Sequence, residues 1–171
     1  MQKGFSLIEV IFYCFGISLI SALILPNAVQ YFQRSTMFLE TQRLHTNLRQ
    51  VQDSNHSIIA KTAGLEFYQA RYKSGRMSAQ FKENERGYVL FEKLYSSDKT
   101  YTIFEKNLPS WMRIQSNYQG FIYFDRYGNL DINPFTVTLN RNNSTQKGEK
   151  YTVILHNNGR IRADFVDASG K

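Results

Sequence analysis

The chain is poor in the residue types that build covalent cross-links and metal sites. It has 1 cysteine, 3 prolines and 3 histidines among 171 residues. Cys14 is alone, which excludes an intrachain disulfide and a cysteine-ligated metal. His45, His56 and His156 are scattered, and none shows metal-ligand spacing with Asp, Glu or Cys. No G-x-S-x-G, P-loop or dinucleotide motif occurs, so we expect a protein that is not an enzyme and holds no metal or cofactor.

Acidic residues are also in short supply. The chain has 14 Asp and Glu against 21 Lys and Arg, which gives a formal charge of +7 and a pI of about 9.5. This balance favours contact with polyanions or anionic membrane surfaces, although many basic proteins bind neither. Hydrophobic residues make up 42%, with 13 Phe and 11 Tyr, which excludes a disordered chain. The length suits one folded domain with an accessory segment.

The accessory segment is an apolar run over residues 5–25, in which Glu9 is the only charged residue. As a helix, this run covers roughly 30 Å, the thickness of a bilayer's hydrocarbon core. A secretory signal peptide is the alternative. The run exceeds its usual apolar region of about 7–15 residues, the only preceding basic residue is Lys3, and no A-x-A-like site follows. A carboxylate near a membrane centre costs roughly 2.5–3.5 kcal/mol, so Glu9 needs a partner.

The segment KGFSLIE, residues 3–9, resembles the type III signal of type IV pilins and pseudopilins. That signal is a short basic leader ending in Gly, here Gly4, followed by Phe5 and by Glu9 at the fifth mature position. The resemblance implies that a prepilin peptidase cleaves between Gly4 and Phe5 and methylates the new amino group of Phe5. It implies that Glu9 pairs with the N-terminal ammonium of a neighbouring subunit, which offsets the desolvation of both charges. It also implies a helix kink at Pro26.

Beyond Pro26 the hydrophobic period predicts a continuing amphipathic helix, with Leu44, Leu48, Val51 and Ile58 in one stripe. After residue 64 the period changes to two, which predicts short strands. They are expected at 65–72, 76–81, 87–93, 101–104, 113–115, 121–124, 136–140, 151–156 and 160–166. The predicted fold is α+β: a long N-terminal helix, transmembrane in its first half, packed on a C-terminal antiparallel β-sheet head, as in pilins.

We therefore expect four segments along the chain. Residues 1–4 form a cleaved leader, whose removal leaves 20 − 14 = +6 formal charges. Residues 5–25 form the transmembrane and filament-core helix, and residues 26–60 form its amphipathic second half. Residues 61–171 form a β-rich head that ends in a hairpin.

The C-terminal hairpin carries the candidate binding residues. Asn158-Gly159 predicts a tight turn. In the following strand Arg160 and Arg162 lie on one face, roughly 6.6–6.8 Å apart, close to the spacing of successive phosphates in a nucleic-acid strand. Each guanidinium could bind a phosphate. Further positive charge is expected from the loop before the hairpin: Arg141, Lys147 and Lys150.

A solvated strand is the alternative explanation of these arginines. In that case one of them is paired with Asp164 or Asp167, and neither has a ligand. On physical grounds alone, this alternative is preferred.

The last third of the chain, FIYFDRYGNL, FTVTLN and YTVILHNNGRIR, is similar to the C-terminal half of the GspH/FimT family of minor pilins. In FimT-type minor pilins of naturally competent bacteria, a G-R-x-R motif at this place is linked to DNA binding. Gly159, Arg160 and Arg162 match that motif. ComGD-type pseudopilins of Gram-positive competence systems share the layout. The resemblance implies DNA bound through its phosphates without sequence preference.

Three functions remain open. The first is a minor pilin or pseudopilin of a type IV pilus-like competence machine that contributes to DNA binding and uptake during transformation. Its partners would be other major and minor pilins, prepilin peptidase, the assembly platform and DNA. It would lie in the cell membrane as a single-pass protein before assembly and in a pilus at the cell surface afterwards. The second is a minor pseudopilin that primes a type II secretion or general type IV pilus filament without DNA. The third is a non-filament membrane protein with a β-domain.

Overall fold

The computed structural model describes residues 6–62, 76–93, 100–125, 127–141 and 150–166, with side chains over 6–55, 77–92, 100–125, 127–141 and 150–165. The chain divides into two compact units, Met1–Phe38 and Leu39–Lys171. Helix α1 spans Leu7–Thr62, and it contains Pro26 within its length. The predicted strand at 65–72 lies outside the described residues.

In the described part of the second unit, seven strands form two antiparallel sheets. The first sheet has the order β1-β2-β3, and the second sheet has the order β4-β5-β6-β7, so neighbouring strands follow each other along the chain. Their bounds are β1 Arg76–Phe81, β2 Gly87–Lys93, β3 Thr100–Asn107, β4 Met112–Ser116, β5 Phe135–Arg141, β6 Lys150–Leu155 and β7 Ile161–Val166. The bounds predicted from the two-residue period agree with those of β1 and β2. The strands predicted for β3, β4 and β5 are shorter than the strands in the structure.

The prediction of a strand at 121–124 is wrong. The side chains alternate, with Ile122 and Phe124 buried, but the backbone does not follow one neighbouring strand. Ile122 bridges Ala79 of β1, whereas Phe124 bridges Leu130 further along the chain. Alternating apolar residues indicate that every second side chain is buried. They do not indicate which segment the backbone forms hydrogen bonds with.

The core of the second unit lies between the helix and the sheets. Leu44, Leu48 and Val51 of the predicted helical stripe are 1% exposed or less. Each contributes about 1.5–3 kcal/mol by leaving water. The side chain of Ile58, the fourth member of the stripe, lies outside the described side chains. On the second sheet one face, the inner face, supplies the core: Ile114, Val137, Leu139, Val153, Leu155 and Ile161.

Polar side chains of the helix fix it on the first sheet. Asn55 makes two hydrogen bonds with the backbone of Met77: its Nδ2 donates to the carbonyl at 3.0 Å, and its Oδ1 accepts from the amide at 2.9 Å. Asn47 Nδ2 donates to the buried Tyr88 hydroxyl at 2.7 Å. Desolvation raises the pKa of Tyr88 to about 12, and the bond from Asn47 opposes that shift. These contacts satisfy buried polar groups, and they set the helix at one position along the strands.

Candidate functional site

The first half of the helix has the length and composition of a membrane span. An apolar window in it has a mean hydropathy of 2.3, and none of that window is buried inside the molecule. Large apolar side chains are exposed all along it; for example, Leu7 is 78% exposed and Phe12 is 70% exposed. A helix that is apolar on every side is stable where a membrane or other helices surround it. This segment fits a membrane anchor.

Glu9 lies in the first helical turn, three residues after Ser6. Its Oε2 accepts a hydrogen bond from the Ser6 amide at 3.0 Å, and the Ser6 carbonyl accepts from the Glu9 amide at 3.0 Å. The Glu9 carboxylate therefore satisfies a backbone donor at the start of the helix, as the glutamate of a capping box does. The S-x-x-E spacing from Ser6 to Glu9 is the sequence signal for this contact, and it was not among the predictions. Pairing with a neighbouring subunit is a separate role, which stays a prediction.

Gly4, Phe5 and Pro26 are the other residues that the pilin resemblance assigns to the N-terminal segment. Gly4 and Phe5 lie outside the described residues, so cleavage between them stays a prediction. Pro26 lies inside the helix. A proline has no amide hydrogen to donate to the carbonyl four residues earlier, which is that of Ala22. The kink at Pro26 also stays a prediction.

The hairpin between β6 and β7 turns over three residues, Asn157, Asn158 and Gly159. The Gly159 amide donates to the His156 carbonyl at 3.0 Å, and the His156 amide donates to the Arg160 carbonyl at 3.0 Å. Only Gly159 of these residues has a positive φ, at 76°. This is the geometry of a type I turn followed by a left-handed residue at a bulge. The sequence located the hairpin at Asn158-Gly159, and the turn in the structure spans these two residues and Asn157.

Gly159 is also held by a second turn and by the helix. A Cβ atom on Gly159 would lie 1.9 Å from the Gly128 carbonyl oxygen. Gln52 Nε2 donates to the carbonyls of both glycines, at 2.7 Å for Gly128 and 2.8 Å for Gly159. Gly128 likewise has a positive φ, at 81°. We call these three residues the glutamine clamp; it fixes the hairpin against the helix, so Gly159 has a structural role of its own.

The two arginines after the turn are exposed but differ in their contacts. Arg162 Nε lies 2.5 Å from Asp164 Oδ1, and the Arg162 side chain is 58% exposed. This ion pair is one of the two that were expected if the arginines are solvated strand residues without a ligand. The Arg160 side chain is exposed, and it makes no hydrogen bond or ion pair with the described residues. Over the described residues, the hairpin therefore presents one guanidinium without an ionic partner and one that shares its charge with a carboxylate.

Of the three supporting cations, Arg141 and Lys150 do not lie beside the hairpin arginines. Arg141 pairs in register with the buried Met112, so it belongs to the inner-face row, opposite to Arg162. Lys150 shares the other face with Arg162, but it pairs with Val166, four residues further along β7. Lys147 lies outside the described residues. Strand alternation separates Arg141 from the arginines of the motif, because odd and even positions point to opposite faces.

No protein-family model and no curated protein matches the chain. Two solved structures do, both crystal structures of the type IV minor pilin FimU from Pseudomonas aeruginosa strain PAO1. The first has a TM-score of 0.55 at 13% identity and covers 81% of this chain and 94% of that chain. The second, in another space group, has a TM-score of 0.50 at 13% identity and covers 75% and 91%.

This chain has a type IV pilin-like fold. The expected α+β architecture, with an apolar N-terminal helix and antiparallel sheets, is confirmed. In this fold, the hairpin with Arg160 and Arg162 joins β6 and β7, the last two strands of the second sheet. Within the described part of the chain, no three His, Cys, Asp or Glu are grouped to hold a metal ion.

Proposed function

We propose that this chain is a minor pilin or pseudopilin of a type IV pilus-like competence machine and that it contributes to DNA binding and uptake. The observation that carries the proposal is a pilin-like fold whose C-terminal hairpin exposes Arg160 and Arg162. The similarity to a minor pilin supports a filament component rather than an enzyme. Other pilins are then its partners, together with prepilin peptidase and the assembly platform.

The N-terminal helix acts first as a membrane anchor and then, after assembly, as part of the filament core. Prepilin peptidase removes residues 1–4 and methylates the amino group of Phe5. The apolar segment holds the protein in the cell membrane as a single-pass subunit, and it enters the filament core on assembly. Glu9 pairs with the ammonium of a neighbouring subunit at that step, because neither charge is stable alone in an apolar environment.

The hairpin supplies phosphate contacts without reading bases. Arg160 and Arg162 are two residues apart on one strand face, and each can donate a forked pair of hydrogen bonds to a phosphate. Two such contacts give weak, salt-sensitive binding at physiological salt. Several heads, or this head with partner minor pilins, act together on one DNA molecule and so raise the overall affinity.

Fluorescence anisotropy with labelled duplex DNA tests this function. The full-length processed protein in non-ionic detergent is compared with the double variant Arg160→Ala/Arg162→Ala and with a charge-matched control, Arg49→Ala/Arg86→Ala. Arg49 and Arg86 are exposed and lie on the helix and in the β1–β2 turn. We expect sequence-independent binding that the hairpin variant weakens by at least about tenfold and the control by less than about threefold. Equal losses in the two variants would contradict a role of the hairpin.

The Arg162–Asp164 ion pair favours one other function. A minor pseudopilin that primes a type II secretion or general type IV pilus filament would need no free guanidinium on its hairpin. In that case Arg160→Ala/Arg162→Ala would leave both filament assembly and transformation unchanged in the host. If the chain acts in DNA uptake, the same variant assembles normally and lowers transformation.

A further inference from the structure

The second sheet has an open outer face that carries more positive charge than the hairpin alone. Arg113 on β4, Lys150 on β6 and Arg162 on β7 lie on this face, because strand residues alternate and the buried positions of these strands are Met112 and Ile114, Val153 and Leu155, and Ile161. Arg160 precedes β7 on the same side. In the four strands of this sheet, over the described residues, Asp164 is the one acidic residue. Among the described residues, these strands and the turn before β7 therefore give the face four cations and one anion, and Glu85 of the β1–β2 turn adds a carboxylate 3.9 Å from Arg113.

Uncharged polar side chains fill the space between these cations. They are Gln115, Thr136, Thr138, Asn140 and Thr152, which occupy alternating positions on β4, β5 and β6. Asn140 Nδ2 donates to Gln115 Oε1 at 2.8 Å, across neighbouring strands. Hydroxyl and amide side chains of this kind bind phosphate and sugar oxygens of nucleic acids.

The outer face has no aromatic side chain on its described strands, and its large apolar residue is Ile154. Surfaces that bind single-stranded nucleic acid without sequence preference rely on aromatic rings, on which unpaired bases stack. A polar face with cations spread over several strands instead suits the phosphates of a duplex, whose bases are already stacked on each other.

The spacing of the cations suits several phosphates at once. Arg113 is opposite Asn140 of β5, and the pairing of Leu139 with Tyr151 puts Lys150 on the other side of Asn140, so the α-carbons of Arg113 and Lys150 lie about 9.5 Å apart. Lys150 is opposite Val166, and Val166 is four residues, roughly 13 Å, from Arg162. Duplex DNA carries one phosphate charge per about 1.7 Å of its axis, so a patch of this size spans several of them.

We propose that the outer face of the second sheet, with Arg113 and Lys150 as well as the hairpin arginines, binds the phosphate backbone of double-stranded DNA. The inference rests on the proposed function and names the form of DNA and the added residues. Asp164 acts on this surface as a competing anion: it lies 2.5 Å from Arg162 Nε and repels an incoming phosphate. Arg113 also has an acidic neighbour, Glu85, but at 3.9 Å with both side chains over 40% exposed. An exposed ion pair of this length is weak, so Arg113 can exchange Glu85 for a phosphate.

Single-charge variants of the full-length processed protein in non-ionic detergent test the proposal. Arg113→Gln and Lys150→Gln are each compared with Arg49→Gln, which removes the same charge from the helix on the inner side of the sheet. Duplex and single-stranded DNA of equal length are titrated over a series of salt concentrations by fluorescence anisotropy. We expect each face variant to lower the affinity for duplex about three- to tenfold and to reduce the salt slope by about 1.

Two further variants, the control Arg49→Gln and Asp164→Asn, have different expected effects on the affinity for duplex DNA. Arg49→Gln should lower the affinity by less than about twofold, whereas Asp164→Asn should raise it about two- to fivefold, because it removes the competing charge. Circular dichroism spectra that match the wild type show that each variant is folded.

Three outcomes would overturn the inference in distinguishable ways. If Arg113→Gln and Lys150→Gln behave as Arg49→Gln does, while Arg160→Ala/Arg162→Ala still removes binding, the hairpin alone is the site and the proposed function stands. If single-stranded DNA binds as tightly as duplex, the preference for double-stranded DNA is wrong. If the wild type binds neither form, the proposed function fails and this inference fails with it.

Discussion

A single glycine shows how one residue serves the turn and the tertiary structure together. Gly159 has a positive φ of 76°, which a side chain disfavours. Its α-carbon also lies so close to the Gly128 carbonyl that a Cβ would be 1.9 Å from that oxygen. The glutamine clamp depends on this approach, since Gln52 Nε2 reaches both carbonyls within 2.8 Å. The glycine of the G-R-x-R match is therefore explained by packing, without any contact to DNA.

We expect Gly159→Ala to lower the free energy of unfolding by more than about 3 kcal/mol. The left-handed conformation costs an alanine about 1–2 kcal/mol, and the overlap with Gly128 displaces one of the two turns. Urea denaturation followed by the fluorescence of Trp111, the only tryptophan in the chain, measures the change.

Gly16→Ala is the matched control for that substitution. Gly16 is a helical residue of the apolar segment, and a Cβ built on it would have no atom within 4 Å apart from its chain neighbours and the nearby backbone of its own helix. Alanine is favoured over glycine in a helix. A loss of stability in Gly16→Ala equal to that in Gly159→Ala would show that the close contact with Gly128 is not the cause.

At the scale of elements, a buried carboxylate joins the helix to the edge strand β3. Glu40 Oε1 lies 3.0 Å from Lys106 Nζ of β3 and 2.8 Å from Arg43 Nη1, one turn along the helix. The Glu40 side chain is only 7% exposed. β3 is a margin of the first sheet and is exposed over most of its length, so it has little other burial to hold it. The ion pair therefore links this edge strand to the core.

We expect Lys106→Met to destabilise the protein by about 1–3 kcal/mol, because it leaves a buried carboxylate with one cation fewer. Lys82→Met is the comparison: Lys82 pairs with Glu105, which is 50% exposed, and the loss should stay below about 1 kcal/mol. Urea midpoints of the two variants are measured side by side. The assigned role of Glu40 is wrong if Lys82→Met proves the more damaging change.

At the scale of the whole molecule, Glu9 has a local contact and a proposed intermolecular one. Locally its carboxylate accepts from the Ser6 amide and starts the helix. In the proposed function the same charge meets the ammonium of a neighbouring subunit. The local contact needs an acceptor oxygen, which a glutamine retains, whereas the intermolecular contact needs the negative charge.

Glu9→Gln therefore separates the two roles. We expect the variant to be cut before Phe5 and methylated as in the wild type, which the mass of the purified protein reports. We expect it to enter filaments at least about tenfold less often, since the ammonium of the neighbouring subunit loses its partner. Glu9→Val, which also lacks the acceptor, should assemble no better. Normal assembly of Glu9→Gln would mean that Glu9 serves only to start the helix.

The sequence predicted much of the fold because the signals involved are local. The long apolar run, the helical stripe of Leu44, Leu48 and Val51, and the two-residue period of most strands each follow from a few neighbouring positions. The strand predicted at 121–124 fails for the opposite reason. Its burial pattern is local, but its hydrogen-bond partners, such as Ala79 for Ile122, are distant in sequence.

The candidate site was predicted in part. The sequence placed Arg160 and Arg162 on one strand face, where the structure has them exposed. It grouped Arg141 with them, although strand alternation puts Arg141 in the inner-face row. Arg113, which shares the outer face with Arg162, was missed, because β4 precedes the hairpin by many residues and only sheet pairing brings their faces together.

By itself, the sequence determined a membrane-length apolar helix, the start signal of that helix, strands of period two and a C-terminal hairpin, because backbone geometry and burial act over a few adjacent residues. Only the tertiary structure decided which strands share a sheet, which cations share a face and how Gln52 holds Gly128 and Gly159. Gln52 lies 76 and 107 residues from those glycines. Contacts over such separations depend on how whole elements pack, and no local pattern encodes them.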